Sequence, residues 1–170
     1  DFNIKDSLNR SWQLATIQLD FQMPERFDLT FINENNKEEK PIILHRTIYG
    51  ALERFIGILL EHTSGNLPLW IAPVQVKVLS FTDRNTKTAE KVAENLISTG
   101  IRTEMDLENE TVNNKVREAS MQKIPYIVLI GDKEESSKTL AVRTQDGKVK
   151  YGVKIDDFVR DIKKMIDERK

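Results

Sequence analysis

The sequence predicts an α/β (α+β) protein in two parts, an antiparallel sheet with one long helix followed by a mixed five-stranded sheet with three helices. Residues 12–21 and 27–32 alternate apolar and polar side chains, the period-two pattern of a sheet with two different faces. Residues 47–62 carry apolar side chains at three- and four-residue spacing, which is typical of an amphipathic helix. From residue 74 onward strand and helix patterns alternate, which indicates a mainly parallel sheet packed against helices.

The first part contains no helical period before residue 46. After the two alternating strands, residues 33–40 (NENNKEEK) form a polar turn, and residues 41–45 (PIILH) form a short buried strand. The helix over 47–62 ends at Thr63-Ser64-Gly65-Asn66, and Pro68 prevents it from resuming. The apolar segment 67–73 is a predicted connector between a domain at 1–66 and a domain at 74–170.

The second part is predicted to contain five strands and three helices. The strands are at 74–81, 101–107, 125–130, 140–144 and 148–152, and the helices are at 86–98, 113–123 and 156–169. The run 125–130 is continuously apolar, as expected of a strand covered on both faces. Asp146-Gly147 is a hairpin signal that joins the last two strands.

Composition narrows the class of protein without identifying it. Of 170 residues 39% are hydrophobic and 31% are charged, which is typical of a globular protein. There is no cysteine, which excludes disulfides and a cysteine-built metal site within this chain. No apolar run approaches the roughly 20 residues that span a bilayer. The net charge of −1 gives no global attraction for nucleic acid, so RNA binding would depend on local Lys and Arg.

Three motifs make the sequence specific. They are WQLATIQLDFQMPERFDLTF at 12–31, HRTIYGALERFIGILLEH at 45–62, and the segment from LPLWIAPVQV at 67 onward with DLENETVNNKVREA, IPYIVLIGDKE and AVRT. The first resembles the strand that lines the aminoacyl-adenylate pocket in threonyl-tRNA synthetases. The second resembles the third signature of class II synthetases. The third resembles the anticodon-binding domain that the threonyl, prolyl, histidyl and glycyl enzymes share.

The resemblance implies a threonine–tRNA ligase, which activates threonine with ATP and transfers it to tRNA(Thr). It further implies zinc in the complete enzyme, magnesium with ATP, a homodimeric complete enzyme, a cytoplasmic location, and neither membrane nor DNA as partner. The first two class II signatures are absent, so these residues are not expected to aminoacylate tRNA by themselves. The chain begins at Asp1 in mid-pattern, as expected of a segment of a longer protein.

Four residues are candidates for the ATP and adenylate site. By resemblance, Gln13, Gln18, Gly50 and Arg54 contact the nucleotide, and Arg54 is the catalytic candidate. A planar guanidinium is suited to stacking on adenine and to phosphate oxygens. Two residues five apart on a strand normally face opposite sides, so Gln13 and Gln18 reach one ligand only if the strand contains a bulge or a local twist.

His45 is the candidate metal ligand. A lone histidine at the end of an apolar strand is usually structural, but the resemblance makes it one of three protein ligands of a zinc ion. That zinc binds the amino and hydroxyl groups of threonine, which explains discrimination against valine. The other two ligands, a Cys and a His, lie upstream in the family, so this chain alone is not expected to hold zinc tightly.

The resemblance assigns the anticodon contacts to Asn109, Arg117, Glu134 and Arg143. Arginine bonds the acceptor edge of guanine, and glutamate accepts from its N–H groups. The principal alternative is a non-catalytic tRNA-binding module that uses residues 74–170, which GALERF and QLDF disfavour. A prolyl or histidyl enzyme is the second alternative, and His45 and AVRT disfavour it.

Overall fold

The structure is a computed structural model that describes residues 1–169. The chain divides into two compact units, Asp1–Ser64 and Gly65–Lys170. Each unit contains its own β-sheet and its own helices. No helix among the described residues is long and apolar enough to cross a membrane.

The first unit is built on a three-stranded antiparallel sheet in the order β1-β2-β5. Its strands are β1 (Phe2–Lys5), β2 (Ser11–Asp20) and β5 (Ile43–Thr47), and a small hairpin pairs β3 (Phe31–Ile32) with β4 (Glu38–Glu39). The helices are α1 (Gln22–Arg26) and the long α2 (Leu52–Thr63). The predicted antiparallel sheet with one long helix is therefore present.

The predicted strand over 27–32 is wrong over most of its length. The Asp20 carboxylate accepts hydrogen bonds from the backbone N–H groups of Gln22 and Met23, and these bonds turn the chain into α1 instead. Asp28 then takes a left-handed conformation, so extended pairing resumes only at Phe31. Polar side chains that bond to nearby backbone compete with strand formation in this way.

The second unit has the predicted mixed sheet of five strands, in the order β10-β9-β8-β6-β7. The strands β6 (Val76–Ser80), β7 (Thr103–Asp106) and β8 (Tyr126–Ile130) are parallel, and β9 (Thr139–Thr144) and β10 (Val149–Lys154) form an antiparallel hairpin. The three predicted helices are α3 (Thr86–Ser98), α4 (Val112–Met121) and α6 (Ile155–Asp167). A short helix α5 (Asp132–Ser137) was not predicted.

Two apolar layers stabilise this sheet. One face of the sheet packs with residues of α3 and α6, through a cluster that includes Val78, Val128, Leu96 and Ile162. A smaller cluster on the other face contains Leu79, Ile127, Ile124 and Ala119, the last of which belongs to α4. Among the described residues, this second cluster includes none from β9 or β10.

The segment 67–73, predicted as a connector, is fastened to the second unit. The fully buried Gln75 donates through Nε2 to the carbonyl of Leu69 at 2.9 Å and accepts from the N–H of Arg102 at 2.9 Å. The Arg102 guanidinium in turn donates to the carbonyls of Ala72 and Trp70 at 2.9 and 2.8 Å. These bonds hold the segment in one conformation on its own unit.

Candidate functional site

A β-bulge in β2 brings Gln13 and Gln18 to the same face of the sheet. Consecutive residues Phe2 and Asn3 of β1 pair with Ala15 and Gln13 of β2, so β2 carries one extra residue at this point. Phe2 and Asn3 face opposite sides, and therefore so do Ala15 and Gln13. Gln13 thus shares a face with Gln18, the arrangement that contact with a single ligand requires.

Arg54 lies against this bulge. Its guanidinium donates from Nη2 to the backbone carbonyl of Gln13 at 3.3 Å, although the side chain remains exposed. Gly50 precedes α2 with a φ of +66°, a conformation that favours glycine. A Cβ at this position would lie 3.1 Å from Nη2 of Arg54 and 3.2 Å from the carbonyl oxygen of Leu14. The bare backbone of Gly50 is what allows Arg54 to approach the strand.

Gln18 and His45 are direct partners across β2 and β5. Nε2 of His45 lies 3.0 Å from Oδ2 of Asp20, two residues along the same face of β2. The pKa of the Asp20 carboxyl is lowered, mainly by the hydrogen bond from the backbone N–H of Met23 and next by the contact with His45. Asp20 therefore stays ionised and orients the ring, which favours the proton on Nε2 and leaves Nδ1 as an acceptor.

Thr16 lies on the same face, and the resemblance did not single it out. Its hydroxyl is buried and has no hydrogen-bond partner among the described residues. Such an orphaned polar atom is costly unless something bonds to it. A shallow depression lined by Thr16, Gln18, Asp20 and His45 opens at this point. The period-two alternation of the sequence places Thr16, Gln18 and Asp20 on one face. It could therefore have indicated Thr16 as a further residue of this site.

The residues at His45 fit a zinc ion only in part. A protein zinc site takes three or four protein ligands, whereas the described residues contain no group of three His, Cys, Asp or Glu side chains that could hold a metal. The oriented and half-exposed ring of His45 is suited to supply one ligand. Residues 1–169 therefore offer a single histidine ligand and not a complete zinc site.

In the second unit the four anticodon candidates lie on four different segments. Asn109 is in the loop between β7 and α4, Arg117 is on the exposed side of α4, Glu134 is in α5 and Arg143 is in β9. Within the described part of the chain, no hydrogen bond or ion pair joins any two of them. The side chains of Asn109, Arg117 and Arg143 also have no such bond to any other described residue, so their polar groups are available to a ligand.

Arg143 projects from the face of the sheet on which α4 packs. It pairs directly with Ile127, and directly paired residues of antiparallel strands share a face. A polar depression beside α4 is lined by Ser120, Lys123, Arg143 and Gln145. Glu134 follows the end of β8, which lies three residues beyond Ile127, or about 10 Å at 3.3 Å per residue.

The unpredicted helix α5 fixes the place of Glu134. Oε2 of Glu134 accepts a hydrogen bond from the N–H of Gly131 at 3.1 Å, which caps the start of the helix. Its neighbour Glu135 accepts from Nδ2 of the buried Asn85 at 2.8 Å and from the Thr88 hydroxyl. The Thr88 and then the Asn85 hydrogen bonds lower the pKa of Glu135. The other carboxylate oxygen of Glu134, Oε1, accepts no hydrogen bond from any described residue.

Both parts of the chain match models of known protein families. Residues 1–63 match the model of the tRNA synthetase class II core domain (G, H, P, S and T), and residues 70–165 match that of the anticodon-binding domain. The chain belongs to the anticodon-binding domain family, here preceded by a segment of a class II synthetase core. The core match over 1–63 disfavours the alternative of a free-standing tRNA-binding module.

Within that class, the curated relatives that match the chain over nearly its whole length are threonine–tRNA ligases, as the motifs predicted. It is 50% identical to the threonine–tRNA ligase of Desulfatibacillum aliphaticivorans over 99% of this chain and 27% of that protein. It is also 50% identical to the enzyme of Thermotoga neapolitana over 100% of this chain and 27% of that protein. The chain therefore spans about a quarter of the length of these curated relatives.

A solved structure supports the same conclusion. The RNA-binding domain of threonyl-tRNA synthetase from Cryptosporidium parvum Iowa II superposes with a TM-score of 0.83 and 33% identity, over 96% of this chain and 42% of that one. A prolyl-tRNA synthetase from Cryptosporidium parvum has a TM-score of 0.73 but 22% identity, over 94% of this chain and 35% of that one, which shows the shared fold alone.

Proposed function

We propose that the chain recognises the anticodon of tRNA(Thr) and supplies part of the adenylate pocket of a threonine–tRNA ligase. The parent reaction joins threonine to ATP as threonyl-adenylate and then transfers the acyl group to the tRNA. The complete enzyme is proposed as a cytoplasmic homodimer. The observation that carries anticodon recognition is the half-buried side chain of Arg143, which lies on the α4 face of the sheet and is unpaired within the described chain.

The side chains of Arg143 and Glu134 carry complementary groups that suit a guanine base. Guanine presents acceptors at O6 and N7 and donors at its N1 and N2 groups, on different edges of the ring. Arg143 is a donor only, and Glu134 has a free acceptor in Oε1 while Oε2 caps its helix. The second anticodon base of threonine tRNAs is guanine, and we assign it to this pair. Asn109 and Arg117 are assigned to the uracil at the neighbouring anticodon position and to the RNA backbone around it.

The test is a binding titration at fixed salt with the 170-residue chain. The native anticodon stem-loop is compared with one that carries adenine in place of the second-position guanine. Binding should be weak, because a net charge of −1 gives little long-range attraction. The native loop should bind more tightly by about 1–3 kcal/mol. Lys164→Ala on α6 should leave both affinities unchanged, and equal affinity of the unaltered chain for both loops would refute the assignment.

The first unit is proposed to hold ATP through Gln13, Gln18, Gly50 and Arg54. Gln13 and Gln18 offer amide donors and acceptors on one face, and the exposed guanidinium of Arg54 lies at the same bulge. A guanidinium so placed stabilises negative charge that develops on the phosphates during adenylate formation. Magnesium, bound with ATP, neutralises part of the same charge when it is present. The chain by itself is not expected to catalyse aminoacylation.

His45 is proposed as one ligand of a zinc ion that selects threonine, with the remaining ligands supplied by the part of the relatives that this chain does not span. Asp20 then contacts the ring through Nε2 and fixes its orientation. In an enzyme of the relatives' full length, His45→Ala should lower zinc content and threonine selection while tRNA binding stays nearly intact. A full zinc complement in that variant, measured by elemental analysis, would remove His45 from the ligand set.

A further inference from the structure

Lys115 is a charged side chain in the interior of the second unit. It lies on α4 and is 1% exposed. Its amino group donates to the carbonyl and the hydroxyl of Ser80 and to the carbonyl of Asp106, each at 3.3 Å. It also lies 3.6 Å from Oδ1 of Asp106. A buried ammonium group is costly unless it is paired and hydrogen-bonded, and here it is both.

The hydrogen-bond partners of Lys115 lie at the carboxyl ends of two strands. Ser80 is the last residue of β6, and Asp106 is the last residue of the neighbouring parallel strand β7. The amino group therefore joins α4 to the carboxyl ends of two adjacent strands. Ligands of parallel sheets bind at this end, where the loops leave the strands. The loop that leaves β7 carries Asn109.

Asp106, which Lys115 contacts, also forms a hydrogen bond within that loop. Its Oδ1 accepts a hydrogen bond from the N–H of Glu108 at 3.2 Å, one residue before Asn109. On the other side of Asn109, the backbone N–H of Glu110 donates to the carbonyl of Glu108 at 2.9 Å. The backbone on both sides of Asn109 is thus held, on one side through a carboxylate that Lys115 contacts.

We propose that Lys115 is a positioning residue for anticodon recognition, which holds the 107–111 loop so that Asn109 meets its base. This rests on the proposed function, because it takes Asn109 to be a base contact. A merely structural role predicts that losing Lys115 lowers stability alone. A positioning role predicts that the loop loosens in the folded protein and that Asn109 loses its effect on RNA binding.

The chain contains a matched control in Lys77. This lysine is also nearly buried: it donates to Gln122 at the end of α4 at 3.1 Å and lies 3.7 Å from Glu104 of β7. It lies near the opposite end of β6 from Ser80, away from the 107–111 loop. Lys77→Met and Lys115→Met both replace a buried ammonium group by an apolar chain of similar length.

Hydrogen exchange of the 170-residue chain without RNA tests the loop directly. Lys115→Met should speed the exchange of the Glu108 amide at least tenfold, and Lys77→Met should change it less than threefold. Should Lys115→Met not fold, Asp106→Asn gives the same test, because it removes the charge that faces Lys115 but keeps an oxygen for the Glu108 N–H. Unchanged exchange of Glu108 in the folded variant overturns the proposal, whatever the RNA does.

A double-mutant cycle with the native stem-loop tests the connection to Asn109. Lys115→Met and Asn109→Ala should each weaken binding by a similar factor, and the double variant should be no more than twofold weaker than Asn109→Ala. Fully multiplying effects overturn the positioning role. If Asn109→Ala alone leaves affinity unchanged while Glu108 exchange still rises in Lys115→Met, the proposed role of Asn109 in recognition has failed, and with it the consequence for binding.

Discussion

The guanidinium of Arg54 donates a hydrogen bond to the backbone carbonyl of Gln13, at the point where β2 carries its extra residue. This bond joins α2 to the bulge across 41 residues of sequence. The bulge turns Gln13 to the face of Gln18. The bond from Arg54 therefore holds α2 against the part of β2 where both glutamines can reach one nucleotide. We expect both nucleotide binding and the stability of the first unit to depend on this contact.

Arg54→Ala should slow adenylate formation in an enzyme of the relatives' full length. Charge stabilisation at a reacting phosphate contributes on the order of 3 kcal/mol, which corresponds to a rate loss of about a hundredfold. Arg54→Lys should restore little, since an ammonium group lacks the planar fork. ATP–pyrophosphate exchange measures the effect, with Arg26→Ala on α1 as the control. An exchange rate unchanged by Arg54→Ala would show that this side chain does not act on the phosphates.

Gly50→Ala should destabilise the first unit, and Gly57→Ala should not. The new methyl group at position 50 meets Nη2 of Arg54 and the carbonyl of Leu14 at 3.1–3.2 Å, and its φ of +66° costs an L-residue about 1–2 kcal/mol. A methyl group at Gly57, inside α2, meets nothing within 4 Å and should stabilise by roughly 0.5–1 kcal/mol. Urea denaturation midpoints measure both. Opposite signs are the expected result, and equal shifts would contradict it.

The sequence predicted most of the fold because its patterns are periodic. The α3 helix at 86–98 was predicted with its observed ends, since its apolar stripe and the glycine after it are both visible in sequence. The start of α2 was placed five residues too early, because the left-handed turn at Gly50 and the extended Ala51 interrupt the pattern only in three dimensions. Helix α5 has no buried residue and therefore no apolar period to detect.

The candidate sites were predicted by resemblance, and sequence alone could not supply their contacts. Period-two reasoning places Gln13 and Gln18 on opposite faces, and only the strand register shows the bulge that reverses this. Lys115 was missed for a related reason. A lysine in a polar helix is usually solvated, and its burial depends on two strand ends that lie 35 and 9 residues away in sequence.

Acid should weaken the first unit through Asp6. Its side chain is fully buried, and it accepts hydrogen bonds from Trp12 Nε1, from Arg10 and from the N–H of Leu8. Burial raises the pKa of this carboxyl, but the Trp12 and Arg10 bonds outweigh it and lower the pKa from 3.8 to about 2. The folded-state pKa is depressed, so the contribution of Asp6 is fully present above pH 3.8 and is lost as pH falls through about 2.

Trp12 fluorescence reports this loss of stability. Because the chain has two tryptophans, Trp70 is replaced by Phe so that only Trp12 contributes to the signal. Denaturation midpoints of the parent and of Asp6→Asn should differ most near pH 7 and converge only as pH falls to about 2. Asp28, which is mostly exposed and pairs with Lys40, gives the control Asp28→Asn, whose difference from the parent should be small throughout. A difference between the parent and Asp6→Asn that is constant with pH would contradict the assignment.

Glu134 and Glu135 are adjacent acids with separable roles, and their glutamine variants should separate stability from recognition. Glu134→Gln keeps an oxygen for the Gly131 N–H, so stability should hold, whereas Glu134→Ala loses the cap at a cost of about 0.5–1 kcal/mol. Both should reduce the preference for guanine over adenine by about 1 kcal/mol or more, since the charged acceptor is gone. Glu135→Gln disturbs the bonds to Asn85 and Thr88 and should lower thermal stability while leaving that preference unchanged.

Thermal unfolding and stem-loop titrations on the same samples measure both quantities. A loss of guanine preference in Glu135→Gln equal to that in Glu134→Gln would mean that the base responds to the placement of α5 as a whole and not to the Glu134 carboxylate.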